Sequence, residues 1–107
     1  MIFEEKTISS DRIYEGKILN LRRDKIIDVR GKASYREIVE HGGGVAIAAV
    51  TEENRMILVR QFRKAAEKAI LEVPAGKIEK GEDPIVTAAR ELKEETGYTA
   101  AKLEYIT

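Results

Sequence analysis

Residues 76–98 read GKIEKGEDPIVTAARELKEETGY, and this stretch decides how the whole chain is interpreted. Asp83 followed by Pro84 is a typical helix start, because aspartate caps free N–H groups and proline is tolerated in the first turn. Gly97 suits the left-handed residue that ends many helices. Between these ends, apolar residues at spacings of three and four predict a stripe that packs on a core. The stripe comprises Ile85, Ala88, Ala89 and Leu92.

The polar side of this helix carries three carboxylates, Glu91, Glu94 and Glu95, which project from one side. Like charges at these spacings repel, and they crowd the negative end of the helix dipole. A hard divalent cation such as Mg²⁺ would offset both costs, since it takes oxygen ligands from carboxylates and substrate phosphates. The alternative is a solvated acidic face, with Arg90 and Lys93 offsetting its charge.

Composition limits the possible functions. The chain of 107 residues has room for one modest core, and its 19 basic and 19 acidic residues cancel. No overall field therefore attracts nucleic acid or a membrane surface. The absence of cysteine and the single histidine exclude disulfides, thiolate metal sites and sites built on several imidazoles. No apolar run approaches the ~20 residues that span a bilayer. The N-terminus lacks a secretory signal, so we expect a cytoplasmic protein.

Upstream of the helix, the hydrophobic pattern predicts two groups of strands. The first group is an antiparallel meander with strands at residues 17–21, 25–29 and 35–39 and a turn at Gly31. The second group has strands at residues 45–50, 56–62, 69–73 and 102–106. The run VAIAAV at 45–50 is typical of a strand buried on both faces, and residues 75–82 are expected to form a loop. We therefore expect an N-terminal β subdomain over residues 1–42 and a second domain over residues 43–107.

Residues 76–98 match the Nudix box, G-x5-E-x7-R-E-U-x-E-E-x-G-U with U apolar, without a gap. The fixed positions are Gly76, Glu82, Arg90, Glu91, Glu94, Glu95 and Gly97, and the apolar ones are Leu92 and Tyr98. The chain is thus identified as a member of the Nudix superfamily. The resemblance implies an α/β (α+β) fold, in which a mixed sheet carries the box helix and follows an antiparallel N-terminal β subdomain. It also implies Mg²⁺ as cofactor, with Mn²⁺ as an alternative.

The resemblance also implies roles for the box residues. The implied metal ligands are the carbonyl of Ala75 and the side chains of Glu91, Glu94 and Glu95. Glu94 would be either a ligand or an orienting base, and Arg90 would orient a box glutamate. Glu82 would be structural or a weak outer ligand. The implied catalytic residues are Arg90, Glu91, Glu94 and Glu95. The reaction is attack of water on a phosphoric anhydride whose charge the metal neutralises.

Residues outside the box resemble the ADP-ribose pyrophosphatase branch of the family. The matching stretches are RQFR at 60–63, LEVPAG at 71–76, and EEKTI, YEGKILNL and YREIVEH in the N-terminal part. In that branch the N-terminal sheet crosses to a partner subunit and helps to build the adenine site. The resemblance therefore implies a homodimer that hydrolyses ADP-ribose to AMP and ribose 5-phosphate.

Four residues are implied as substrate contacts by the same resemblance: Tyr35, Arg36, Arg63 and Glu72. Arg63 would bind the diphosphate or the adenine end, since a guanidinium forks onto such oxygens. Glu72 would assist metal or ligand binding, Tyr35 would stack, and Arg36 would be a weaker phosphate contact. Each also has a structural explanation: Arg63 as a plain surface arginine, Glu72 as a structural partner, Tyr35 as an ordinary strand aromatic and Arg36 as a solvated strand charge.

Two further functions stay open at this point. The chain could hydrolyse another nucleoside diphosphate derivative, or it could be a non-catalytic, ligand-sensing module. Full family members continue with further strands, a second helix and a later acidic residue that often activates water. We therefore expect that the C-terminal part of the fold is missing here. The chain alone should then be poorly active, because a missing base costs ~10²–10⁴-fold in rate.

Overall fold

The computed structural model describes all 107 residues, which divide into two compact units, Met1–Gly42 and Gly43–Thr107. Strands form both units, and the second also contains the one α-helix of the chain. The α/β (α+β) class expected from the sequence is therefore confirmed. No helix has the length and apolar character needed to cross a membrane.

The first unit is a three-stranded antiparallel sheet in the order β1-β2-β3. The strands are β1 (Lys6–Glu15), β2 (Leu19–Ile27) and β3 (Ala33–His41). The segments predicted as strands at 17–21 and 25–29 belong largely to the single strand β2. The sequence did not predict β1, because every residue of that strand is exposed and no apolar alternation marks it. This strand is held in place by its backbone pairing with β2 along its whole length.

Hydrogen bonds close the turn between β2 and β3, which the sequence predicted at Gly31. The backbone N–H of Gly31 donates to the carbonyl of Asp28 at 2.9 Å, and Gly31 has a φ of +78°. The Asp28 carboxylate accepts the backbone N–H groups of Arg30 and Lys32 at 2.8 and 2.9 Å. Glycine adopts the left-handed conformation that this turn requires without steric strain.

The second unit contains two short antiparallel ladders and one helix. The first ladder pairs β4 (Gly44–Ala46) with β7 (Ala75–Lys77), and the second pairs β5 (Val59–Arg63) with β6 (Lys68–Glu72). The helix α1 (Pro84–Thr96) packs against β4 and β7. All strand pairs in the chain are antiparallel.

Three expectations for the strands of this unit are wrong. Residues 45–50 do not form one long buried strand, since β4 ends at Ala46 and only Ile47 is buried in that stretch. The first three residues of the predicted loop form β7, because they supply the backbone partners of β4. Residues 102–106 form no strand, because no ladder pairs with them.

The ends of α1 lie where the sequence predicted them. The Asp83 carboxylate accepts the N–H of Ile85 at 3.1 Å, and Gly97 closes the helix with a φ of +78°. The predicted apolar stripe is only partly correct, because Ile85 and Ala89 are exposed whereas Leu92 is buried. The other fully buried residue of the helix is Thr87. The face that packs inward therefore includes a polar group for which hydrophobic spacing gave no signal.

Candidate functional site

Arg90 is the centre of the polar side of α1. Its guanidinium grips the carboxylate of Glu82 with two hydrogen bonds, from Nε at 2.8 Å and from Nη2 at 2.9 Å. The same group reaches Glu91 through Nη1 at 2.8 Å, Glu94 at 3.3 Å and the carbonyl of Lys77 at 3.2 Å. The guanidinium therefore links the loop before the helix to its acidic face.

Glu82 is held from three directions. Besides the Arg90 fork, its Oε1 accepts the backbone N–H of Glu79 at 3.0 Å and the hydroxyl of Thr87 at 2.8 Å. The Arg90 hydrogen bonds, followed by the Glu79 N–H, lower the pKa of Glu82 to about 2, although burial opposes the shift. The carboxylate is therefore ionised at neutral pH and serves as an anchor for Arg90.

Glu91 lies against the backbone of β7. A Cβ added to Gly76 would overlap the carboxylate carbon and Oε1 of Glu91, so this close approach requires glycine. The Glu91 side chain is 14% exposed, and its Oε1 is bound by Arg90. The position of this carboxylate is thus fixed by a strand on one side and by a guanidinium on the other.

Glu94 and Glu95 are the exposed members of the acidic face. The side chain of Glu94 is 58% exposed and touches only the edge of Arg90. Glu95 accepts the backbone N–H of Ala75 through Oε2 at 3.2 Å. The structure thus brings Glu95 to the residue whose carbonyl the sequence assigned to the metal.

The donor set suits a hard divalent cation in its chemistry, since it consists of carboxylate and carbonyl oxygens. Room for the buried ligand exists because Gly76 leaves space for the Glu91 carboxylate. No three acidic or histidine side chains in the chain are already gathered around one point that could hold an ion. Glu94 and Glu95 are exposed, so these two side chains would have to rotate towards Glu91 to coordinate a cation together with it.

Arg63 of β5 and Glu72 of β6 form an ion pair that runs diagonally across the ladder, since their direct partners are Lys68 and Val59. The guanidinium donates from Nε and Nη2 to the two carboxylate oxygens, at 2.6 and 2.8 Å. This pairing lowers the pKa of Glu72 and raises that of Arg63. Two residues that the sequence assigned to ligand binding are thus brought together, and each is the partner of the other.

Tyr35 and Arg36 lie on β3 in the first unit. Tyr35 is exposed, and the guanidinium carbon of Arg23 lies 5.2 Å from the centre of its ring. Arg36 donates to Glu5, to the hydroxyl of Ser34 at 3.3 Å and to its neighbour's carbonyl. The pKa of Arg36 is raised by the hydrogen bond to Glu5. Arg36 therefore has a structural role, because it forms an ion pair with Glu5.

Thr87 and Glu79 were not singled out from the sequence as site residues. Thr87 lies in the variable part of the box, and Glu79 approaches Arg90 at 3.7 Å from the preceding loop. The available signal was the position of a threonine in the first turns of a helix, five residues after a box glutamate. Threonine hydroxyls in such places bond nearby polar groups.

Comparison with known proteins supplies independent findings. A family model described as the NUDIX domain matches residues 40–107. An ADP-ribose pyrophosphatase of Bacillus subtilis is 57% identical over 104 residues, which cover 97% of this chain and 56% of that protein. A methanol dehydrogenase activator of Bacillus methanolicus is 51% identical over 105 residues, covering 98% of this chain and 57% of that protein.

A third relative is an ADP-ribose pyrophosphatase of Mycobacterium tuberculosis, 42% identical over 97 residues, covering 90% of this chain and 47% of that protein. The chain thus spans about half the length of the curated relatives it matches. A crystal structure of an ADP compounds hydrolase superposes with a TM-score of 0.75 at 21% identity, covering 95% of this chain and 56% of that one. At that identity the likeness shows the fold alone.

Proposed function

The chain belongs to the Nudix family, and on this premise we propose that it is part of a Mg²⁺-dependent hydrolase that splits ADP-ribose into AMP and ribose 5-phosphate. The observation that carries the proposal is the charge around Arg90. This single cation faces four carboxylates, those of Glu79, Glu82, Glu91 and Glu94. The unbalanced negative charge favours a bound cation, and the names of two relatives support the substrate.

Each box residue has a distinct task in this proposal. Glu91, Glu94, Glu95 and the carbonyl of Ala75 would hold the cation. When bound, it neutralises charge on the phosphate oxygens and makes water a better nucleophile. Arg90 keeps Glu91 in place, because its guanidinium binds Glu82 and Glu91 at the same time.

Arg63 is the proposed contact for the diphosphate. A diphosphate oxygen and Glu72 would compete for the same guanidinium, because both accept two parallel hydrogen bonds. Tyr35 offers an exposed face for stacking, and Arg36 would have to leave Glu5 to bind a phosphate. We also propose a homodimer formed through the N-terminal sheet, where Ile8, Ile13 and Val39 are exposed. Light scattering on the intact protein would detect it, and a monomeric mass would contradict it.

The test is a panel of ADP-ribose, other nucleoside diphosphate sugars and nucleoside triphosphates, each incubated with Mg²⁺ and with a chelator. We expect AMP and ribose 5-phosphate from ADP-ribose, and no products once the metal is removed. The Glu95→Gln variant should lose on the order of 10³-fold in kcat, because a cation supplies several kcal/mol to the transition state. The matched control is Glu53→Gln, an exposed carboxylate in a turn of the same unit.

A second candidate is hydrolysis of a different nucleoside diphosphate derivative. The observation that favours it is the 37% identity, over 101 residues, to a Mus musculus protein named ADP-sugar pyrophosphatase. Faster turnover of another member of the panel would select this alternative. Equal behaviour of Glu95→Gln, Glu91→Gln and the unmodified protein would instead support the non-catalytic, ligand-sensing module.

A further inference from the structure

We propose that Thr87 is a positioning residue of this site, whose hydroxyl holds Glu82 so that Arg90 keeps Glu91 where the cation binds. The proposal rests on the proposed function for the identity of the cation site, but its geometry is independent of the substrate. Thr87 is fully buried in α1, and its hydroxyl contacts Glu82 and the carbonyl of Asp83, neither of which is a proposed ligand of the cation.

The Thr87 hydroxyl has one proton and two neighbouring acceptors. Its Oγ1 lies 2.8 Å from Oε1 of Glu82 and 3.3 Å from the carbonyl oxygen of Asp83. A hydrogen bond to an ionised carboxylate is shorter and roughly twice as strong as one to a neutral acceptor. The hydroxyl therefore donates to Glu82, and the helix carbonyl is the lesser contact.

Burial makes this donor hard to replace. Thr87 is 0% exposed, so no water can take over the place of a missing hydroxyl without an opening in the packing. The Glu82 carboxylate would then keep the Arg90 and Glu79 hydrogen bonds but would lose one of the three donors that limit the rotation of Oε1. A carboxylate that rotates carries the guanidinium bound to it.

The effect reaches the acidic face through one rigid group. The Arg90 guanidinium is planar, and the two nitrogens that grip Glu82 are fixed relative to the one that binds Glu91. A tilt of the plane at Glu82 therefore moves Nη1 away from Oε1 of Glu91. Glu91 cannot follow freely, because its carboxylate is packed against the backbone of Gly76.

Thr96 shows what a purely structural threonine does in the same helix. Its hydroxyl donates to the carbonyl of Leu92, and its oxygen accepts the N–H of Tyr98 at 3.1 Å. No carboxylate is involved in either contact. Thr96→Val is therefore the matched control for Thr87→Val, because both changes remove one half-buried or buried helix hydroxyl and keep the shape of the side chain.

The experiment measures two quantities on the intact protein: the exchange rate of the Arg90 Nε–H by NMR, and the affinity for Mn²⁺ alone. Thr87→Val should speed the exchange and weaken Mn²⁺ binding by roughly 10-fold, the lower range for loss of a group that orients a ligand. Thr87→Ser, which retains the hydroxyl, should restore both values. Thr96→Val should change neither.

The route through Arg90 is tested by combining changes. In an Arg90→Lys background the fork no longer exists, so Thr87→Val should cause little further loss of Mn²⁺ affinity. Full additivity of the two changes would overturn the route. Unchanged exchange and unchanged affinity in Thr87→Val would overturn the positioning role itself. If Thr87→Val unfolds by circular dichroism, the Thr87→Ala and Thr87→Ser pair carries the same comparison.

The two proposals fail in different ways. Thr87-dependent Mn²⁺ binding in a protein that leaves ADP-ribose intact would sink the proposed substrate and support the positioning role. Hydrolysis of ADP-ribose with identical Mn²⁺ affinities for the unmodified protein and Thr87→Val would do the reverse.

Discussion

Each unit of the molecule contains a carboxylate that accepts both a hydroxyl and an arginine. In the first unit, Asp24 accepts the Ser10 hydroxyl at 2.6 Å and the Nε of Arg22 at 3.2 Å. In the second unit, Glu82 accepts Thr87 and Arg90 in the same manner. The pKa of Asp24 is lowered, by the Ser10 hydrogen bond first and by Arg22 after it.

The two networks differ in how their charges balance. Around Asp24, the arginines Arg12 and Arg22 share three carboxylates, those of Asp24, Glu15 and Glu40. Around Glu82, one arginine faces four. A network that serves only the sheet is close to neutral, whereas the one on α1 retains negative charge at a place that an ion can reach. This excess, and not the hydrogen-bonded carboxylate itself, marks the candidate site.

Among the changes that probe these two networks, the largest expected effect is at Gly76, because the missing side chain there leaves room for the Glu91 carboxylate. Gly76→Ala forces Glu91 to move, and a displacement of about 1 Å can cost ~10²-fold in rate. Steady-state hydrolysis of ADP-ribose measures it. Gly42→Ala is the control, since a Cβ there meets nothing within 4 Å. Equal rates for the two variants would remove the geometric argument for Glu91.

The next largest effect is expected at Arg90, and Arg22 of the other network is its control. Arg90→Lys replaces a fork with a point charge and should weaken Mn²⁺ binding by roughly 10-fold, as expected for a group that orients a ligand. Arg22→Lys makes the same exchange in the network around Asp24 and should leave that affinity unchanged. Isothermal titration with Mn²⁺ gives both values. Equal weakening by the two variants would break the distinction between the networks.

A smaller effect concerns acid stability. The pKa of Glu82 is about 2 in the folded protein and near 4.5 ordinarily, so its ionised form stabilises the fold fully above pH ~4.5. That contribution is lost as the pH falls towards 2. The free energy of unfolding should therefore differ most between the unmodified protein and Glu82→Gln above pH 5, and the gap should narrow with acid. Urea unfolding from pH 2 to 7 measures it, and a constant gap would contradict it.

The smallest effect is expected at Ser10. Ser10→Ala removes the hydroxyl from Asp24 as Thr87→Val removes it from Glu82, but Ser10 is exposed and water can take its place. We expect a slightly lower melting temperature and an unchanged affinity for Mn²⁺. A loss of Mn²⁺ affinity as large as that of Thr87→Val would show that the first network also serves the ion.

The sequence pattern predicted those parts of the fold that depend on residues close together along the chain. The capping pair Asp83 and Gly97, the turn at Gly31 and the acidic face of α1 are all determined within a few positions of sequence. The strand β1 was missed because it is stabilised by a partner, and its own side chains are exposed.

The sequence also indicated part of the candidate site, whose metal-binding and catalytic roles stay predictions. The box pattern identified Arg90 and its glutamates, because their spacing on one helix is fixed. It could not show that Arg63 and Glu72 form an ion pair, since they lie nine positions apart on different strands and are not direct partners in the ladder. Nor could it show that Thr87 is buried, because the buried face of α1 includes this polar residue and leaves the apolar Ile85 exposed.

The strand β7 has one more consequence for the helix above it. Glu95 binds the N–H of its first residue, Ala75, and Arg90 binds the carbonyl of its last, Lys77. Between these two attachments Gly76 supports Glu91. The register of this three-residue strand therefore determines all three contacts. A shift of one position against β4 would break the hydrogen bonds to Glu95 and Arg90 and would place a side chain under Glu91. Any change that shifts the register of this strand should consequently also displace the Glu91 carboxylate.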